Sequence, residues 1–223
     1  PKGPIGIVGA AGTGTQEVTC IIANEGSGVS QAIGTGGRDV KDAVGGITFL
    51  DAMQALADDR ETKVLLLVSK PPQPGVLKKI YALIRKIKKP VVALFLGEGG
   101  TPATLEQAAL LAVAHANGDD PVQALAHLTR RDEILQAEAR AIVGKRKNPK
   151  GRYLRGLFSG GTFCAEAQVV LDGVVRHLYS NAPLGDSQKL KNAWKPEKNA
   201  IVDLGEDEFT VGRAHPMIDY TLR

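Results

Sequence analysis

The stretch Ile5-Gly6-Ile7-Val8-Gly9-Ala10-Ala11-Gly12-Thr13-Gly14-Thr15-Gln16-Glu17 constrains the fold of this chain more than any other. Its apolar start reads as a short buried strand. The run of small residues behind it reads as a tight loop, with a helix beginning at about Thr15 or Gln16. Glycines in such a turn let the backbone come close to a ligand. The unpaired N–H groups of the helix's first turn, together with the helix dipole, then face any anion placed there. A phosphate, a carboxylate or a thioester oxygen are all suitable guests.

Strand and helix signals alternate from there to about residue 97. Val18, Ile21 and Ile22 recur at helical spacing, and Glu25-Gly26-Ser27-Gly28 ends that helix. Val29–Ile33 reads as a second strand running into Gly34-Thr35-Gly36-Gly37, another glycine loop at a strand's carboxyl end. Thr48–Asp58 reads as a helix. Val64-Leu65-Leu66-Leu67-Val68 is an uninterrupted apolar run, as expected of a strand covered on both faces of a parallel sheet. A third helix puts Val76, Ile80, Leu83 and Ile84 on one side and its lysines on the other, a solvated face, before a fourth strand at Val91–Leu96. This alternation predicts an α/β fold with a doubly wound parallel sheet of the flavodoxin-like kind, whose ligands bind at the carboxyl ends of the strands. Both glycine loops lie at those ends.

The middle of the chain reads as helical throughout, from a start signal at Thr101-Pro102 to Val143, and closes on the basic, helix-breaking Lys145–Gly151. His115 and His127 stand on these helices without ligand partners and read as structural or solvated. Tyr153–Phe158 is again strand-like. Ser159-Gly160-Gly161-Thr162 then leads into a helix through about His177, and Gly12-Thr13 and Glu17 align without a gap with Gly161-Thr162 and Glu166. Ala200–Gly205 is a strand ending at glycine that matches Ala32–Gly34, and His215–Asp219 matches Ile47–Asp51. The polar stretch Asn181–Asn199 reads as an inserted excursion or hairpin. Three segments follow: 1–98, an α/β domain; 99–150, a helical connector; and 151–223, a second, incomplete related unit. The last lacks counterparts of Val64–Val68 and Val91–Leu96, so the first unit, further residues or a partner completes it. A homo-oligomer or partner subunits are expected.

Composition narrows the functional classes. The net charge is +4 and aromatics are 4% of the residues, too few for the stacking platforms of single-strand binders, so no nucleic acid is expected. Two cysteines, Cys20 and Cys164, make neither a disulfide framework nor a zinc site, and a reduced, cytoplasmic setting fits. No apolar run is long enough to span a bilayer, and no membrane is expected. Gly9-Ala10-Ala11-Gly12-Thr13-Gly14 is not G-x-G-x-x-G, and no acidic residue closes the second strand, which disfavours NAD; no G-x-x-x-x-G-K-[ST] occurs. No metal-ligand cluster is visible, and none is expected.

The order strand, small-residue loop, Gly-Thr-x-x-x-Glu helix, strand, Gly-x-Gly-Gly loop resembles the CoA-ligase domain of succinyl-CoA synthetase and its relatives. The ending Asp203–Asp219 and Ser159–Thr162 resemble the FdrA proteins, a branch of that superfamily. The resemblance implies an acyl-CoA synthetase-like ligase core of the FdrA type, without the N-terminal CoA-binding domain of longer members, in which two loop–helix N-termini point at one central phosphoryl site. Its ligand would be an acyl-CoA or acyl phosphate. Carbamoyl transfer from oxamate or carbamoyl phosphate, in allantoin breakdown, or a non-catalytic scaffold subunit are the alternatives. Succinyl-CoA synthetase relays phosphate through a histidine in a loop that here reads Leu96-Gly97-Glu98-Gly99-Gly100, and its Gly-Glu after the third strand reads Ser69-Lys70. No phosphohistidine relay is therefore expected.

Candidate binding residues are Gly12, Thr13, Gly14, Thr15, Gly36, Gly37, Ser159, Gly160, Gly161 and Thr162, the hydroxyls adding donors to the backbone N–H groups. Glu17, Glu166 and His215 are the candidate catalytic residues. Glu17 and Glu166 are equally ordinary first-turn carboxylates, and His215 equally a turn-stabilising histidine before Pro216. Cys164, near the start of its helix, stands where a dipole lowers a thiol pKa. The cofactor is unspecified by the residues; CoA or a phosphate-bearing substrate fits, and ATP or ADP is left open.

Overall fold

The computed structural model describes residues 1–145 and 151–222. Most of the proposed basic boundary at Lys145–Gly151 lies outside the described residues. The described residues form two four-stranded parallel sheets flanked by helices. The first sheet comprises β1 (Lys2–Gly9), β2 (Val29–Gly34), β3 (Val64–Ser69) and β4 (Val91–Phe95). Its order is β2-β1-β3-β4, every pair parallel, as the flavodoxin-like reading requires. All six residues of β3 are buried, which is what the unbroken Val64–Val68 run demands of a central strand.

Each face of this sheet carries its own core. On one side Ile5, Ile7, Leu66, Val68 and Leu94 meet α1 (Gly12–Asn24) and α4 (Leu105–Asn117). On the other, Val8, Leu65, Leu67 and Phe95 meet α2 (Ile47–Asp58) and α3 (Pro74–Ile84). The strands therefore alternate their side chains between two cores, at a period of two. Residues 99–150 are more than a connector at their start, because α4 is packed into the first of these cores. Its N-cap Thr104 accepts from Gln107 N–H at 3.2 Å, while Gln107 Oε1 accepts from Ala103 N–H at 2.8 Å, a reciprocal cap that moves the helix start past Thr101-Pro102. The rest of this helical middle is one long helix, α5 (Pro121–Gly144), in which Leu128 is buried.

The second sheet comprises β5 (Arg155–Phe158), β6 (Leu178–Ser180), β7 (Gln188–Lys189) and β8 (Asn199–Asp203), in the order β5-β8-β6-β7. The inserted stretch is no hairpin: β7 pairs with β6 in parallel. The insert thus contributes its own short strand beside β6, and β8 lies between β5 and β6 where β2 is an edge strand. Asn181 ties the insert to β8, accepting from Asp203 N–H and donating to Asp203 O, both at 2.8 Å. Helix α6 (Gly161–Leu171) ends six residues earlier than the sequence predicts. His215–Asp219, matched in sequence to the start of α2, forms turns instead, and only α7 (Asp207–Thr210) precedes it.

Candidate functional site

The repeated loops are shorter than expected because the helices begin inside them. Gly12 is the first residue of α1 and Gly161 the first of α6, so the glycine–threonine pairs form first turns of helix. The two helices pack on each other through these turns. A methyl added at Gly160 would stand 2.5 Å from Thr13 Cγ2, and one at Gly14 would stand 2.6 Å from Thr162 Cγ2. Each threonine therefore fits where the other helix carries a glycine, and the two N-termini open into one cleft.

That cleft has a volume of about 510 Å³. Ala10 and Ala11 reach it from the end of β1, Gly37 from beyond β2, Lys70 from the end of β3, Gly160 and Gly161 from β5, and Asp203 from β8. The carboxyl ends of both parallel sheets thus meet there. In the first sheet this is the point between β1 and β3 where the chain reverses its winding, the usual ligand site of such folds.

The helix caps set the electrostatics of the cleft. Asp39 accepts from Thr48 and Phe49 N–H at the start of α2, and Asp42 from Val76 N–H at the start of α3. Glu166 and Thr104 serve α4, and Asp120 accepts from Val122 N–H in α5. The caps of α1 and α6 are Ala11 and Gly160, which bring no side-chain acceptor. Among the described residues, the two long helices without a capping side chain are the two that share the cleft, so their first-turn N–H groups and dipoles face an external anion placed there.

Lys70 and Asp203 are the charged pair of the cleft, and sequence reasoning missed both as site residues. Their Nζ–Oδ2 separation is 3.9 Å; the Asp203 side chain is 3% exposed and that of Lys70 42%. A methyl on Gly161 would lie 2.5 Å from Lys70 Nζ, which puts the ammonium directly over the start of α6. Asp203 Oδ1 accepts from Gly205 N–H at 2.8 Å. His215 Nδ1 accepts from Met217 N–H at 3.2 Å, which leaves Nε2 to carry the proton of the neutral ring. That nitrogen lies on the cleft side, 3.1 Å from where a Cβ on Gly205 would be. The position of Lys70, just past a buried central strand of a parallel sheet, was the signal available for it.

The other expected residues divide. Gly12, Thr13, Gly37, Gly160, Gly161 and His215 line the cleft; Thr162 reaches its wall but is buried against Gly14. Gly14 is interhelical packing. The Thr15 hydroxyl is spent on Ala11 O at 2.8 Å, so it offers no donor to a ligand. Gly36 serves the turn after β2, with φ +78°. Ser159 borders an adjoining recess. Glu17 and Glu166 stand one helical turn behind the mouth, outside the lining. Glu166 Oε1 accepts from Leu105 N–H at 2.6 Å and caps α4. Burial, with Glu17 and Glu106 nearby, holds the Glu166 carboxyl above the usual range against that hydrogen bond. Cys164 is fully buried, and its pKa is pushed up to about 12 by burial and by Asp203, the opposite of the lowering expected near a helix start. A further cavity of about 520 Å³ opens at the far end of α6, around Arg176, His177 and Leu184, and contains none of the expected site residues.

Fold and cleft together define a parallel α/β protein with a cleft between two paired helix N-termini. Known proteins agree with the first half of that description. Residues 2–97 match the family model described as a CoA binding domain, which corrects the expectation that the chain lacks that domain and has a ligase domain in its place. The whole chain is 40% identical, over 236 aligned positions, to the uncharacterized protein YahF of Escherichia coli (strain K12), of which it covers 44%. Over 101 residues, 45% of the chain, it is 33% identical to succinate–CoA ligase (ADP-forming) subunit alpha 1 of Archaeoglobus fulgidus, covering 33% of that protein. The corresponding alpha subunit of Staphylococcus epidermidis is 31% identical over the same length, with 32% covered. The chain spans less than half the length of these curated relatives. Among the described residues no helix is long and apolar enough to cross a membrane.

Proposed function

We propose that this chain is a succinyl-CoA-synthetase-like core of the FdrA type, handling an acyl-CoA or acyl phosphate without a phosphohistidine relay. The observation that carries the reading is the convergence of α1 and α6, whose caps bring no side-chain acceptor, on one cleft with Lys70 above it. The first-turn N–H groups and Lys70 would hold the phosphoryl or carboxyl oxygens and stabilise charge that develops on them. His215 Nε2–H would donate to the ligand from beside Asp203 and Gly205. Asp203 would be a positioning residue, keeping the Lys70 ammonium over α6. The uncapped N-termini fit the phosphate groups of CoA, and CoA when bound supplies the thiol that carries the acyl group. The match of residues 2–97 to a CoA binding domain supports this choice of ligand. On this reading residues 1–98 and 151–223 form two related units joined by 99–150, and the complete activity involves partner subunits, a second copy or the additional length present in the relatives.

Asp203 and Glu206, both lining the cleft, also favour a second reading. Carboxylates beside an anion site accept N–H groups, which suits a carbamoyl phosphate better than a simple acyl phosphate.

Thermal-shift titration separates these. At a hundred times the dissociation constant a ligand of the native state adds about 2.7 kcal/mol, a rise in Tm of roughly 5–10 °C for a domain of this size. The first reading predicts such a rise with CoA and with acetyl phosphate. A rise with carbamoyl phosphate alone selects the second. No rise with any of the three refutes both.

A further inference from the structure

The cleft does not end at its charged wall. Across Thr13, Gly160 and Met217 it continues into a recess of about 490 Å³, whose remaining wall includes Leu157, Phe158 and Phe163. Among the described residues, none of the side chains lining this recess is charged. Leu157 on β5 is 56% exposed and Met217 42% exposed, so both present bare apolar surface at the mouth. Phe158 and Phe163 are partly buried against separate cores, which fixes the back of the recess.

We propose that cleft and recess are one binding site, and that its ligand is an anion bearing a non-polar substituent of several carbons. The chemical class is an acyl phosphate with an aliphatic or aromatic acyl group. This rests on the anion reading of the cleft and adds the nature of the group attached to the anion. The anionic head sits between the helix N-termini and Lys70, and the substituent passes over Thr13 and Gly160 onto Leu157 and Phe163. A dicarboxylic acyl group is disfavoured, because its second carboxylate would enter a recess whose described lining offers no cation, where an unpaired charge is costly. Continuity with the cleft, through three shared residues, is what assigns the apolar surface to a ligand tail and not to a second protein chain.

Alkylphosphonates test this, since they keep a phosphate-like head and vary only the tail. Affinities of the full chain are measured for inorganic phosphate and for methyl-, propyl- and pentylphosphonate, in wild type, Leu157→Asn and Leu157→Met. Wild-type affinity should rise about fourfold per methylene, the fold-change corresponding to about 0.8 kcal/mol for each CH₂ removed from water. Leu157→Asn should at least halve that slope on a logarithmic scale, Leu157→Met should keep it, and phosphate should bind all three alike. Leu157 is exposed, so neither change threatens folding. Equal affinity along the series with phosphate binding retained overturns the apolar extension alone, as does a slope unchanged in Leu157→Asn. Loss of all anion binding in wild type overturns the anion site and this inference together. A flat series with a wild-type dimer that Leu157→Asn dissociates would assign the surface to self-association and also overturn it.

Discussion

Gly161→Ala puts one methyl group where Lys70 and Asp203 meet. The added Cβ would lie 2.5 Å from Lys70 Nζ and 2.6 Å from Asp203 Oδ2, both inside contact distance. The lysine side chain is 42% exposed and can swing into solvent. Asp203 cannot: its side chain is 3% exposed and its other oxygen is held by Gly205 N–H at 2.8 Å. Either the carboxylate rotates and forfeits that bond, or α6 shifts against α1 and disturbs the Thr13–Gly160 and Thr162–Gly14 contacts. Overpacking of this kind costs about 1–3 kcal/mol. For a chain of this length that is a fall in Tm of roughly 2–12 °C, with an unchanged denaturant slope. The sequence-equivalent change Gly12→Ala is the control, because nothing lies within 4 Å of a Cβ there. It should stay within about 0.5 kcal/mol of wild type. Adding Lys70→Ala to Gly161→Ala removes one of the two clashes, so the costs should be less than additive. Urea and thermal unfolding of wild type, Gly161→Ala, Gly12→Ala, Lys70→Ala and the double variant decide the matter. Equal stability of Gly161→Ala and Gly12→Ala would refute the packing of Lys70 and Asp203 over the start of α6.

Two more outcomes follow from the buried titratable groups. Because the folded-state pKa of Glu166 is raised, chiefly by burial, its contribution to stability is present below the ordinary carboxylate pKa and is lost as pH rises through the folded value. Glu166→Gln keeps an acceptor for Leu105 N–H without the buried charge, so unfolding free energy measured from pH 4 to pH 7 should fall less with pH in the variant than in wild type; identical pH profiles would contradict this. Cys20 is exposed, whereas Cys164 is buried with its pKa pushed up to about 12, so a thiol reagent at pH 8 should titrate one fast thiol in the native chain and a second only on unfolding. Two fast thiols would place Cys164 at the surface.

What the sequence carried plainly was the first sheet. The Val64–Val68 run and its flanking helical periodicities correspond directly to β3, α2 and α3, because a strand buried on both faces has to be apolar at every position. The start of α1 was less legible. Gly12-Thr13-Gly14 has poor helix propensity and reads as loop, but Gly14 faces Thr162 across the helix pair, a long-range reason that no local window contains. The insert was misread for a related cause. Strands of three and two residues, Leu178–Ser180 and Gln188–Lys189, carry too little pattern to show, and side-chain bonds from Asn181 anchor the insert to β8. Within the site, the glycine–threonine pairs and His215 were visible because they form motifs. Lys70 and Asp203 were not, since each is a single charged residue at the end of a different sheet, and only the joining of the two sheets makes them a pair.

The central claim is that the shared mouth of α1 and α6 binds an anion, and Gly12→Asp tests it most directly. A Cβ at Gly12 meets nothing within 4 Å, and a carboxylate at the first position of α1 favours the helix. The variant should therefore fold at least as stably as wild type while placing a negative charge in the cleft. Phosphate and acetyl phosphate should raise the Tm of the wild-type chain and leave that of Gly12→Asp where it began. Equal shifts in the two proteins, or no shift in wild type, would contradict the account.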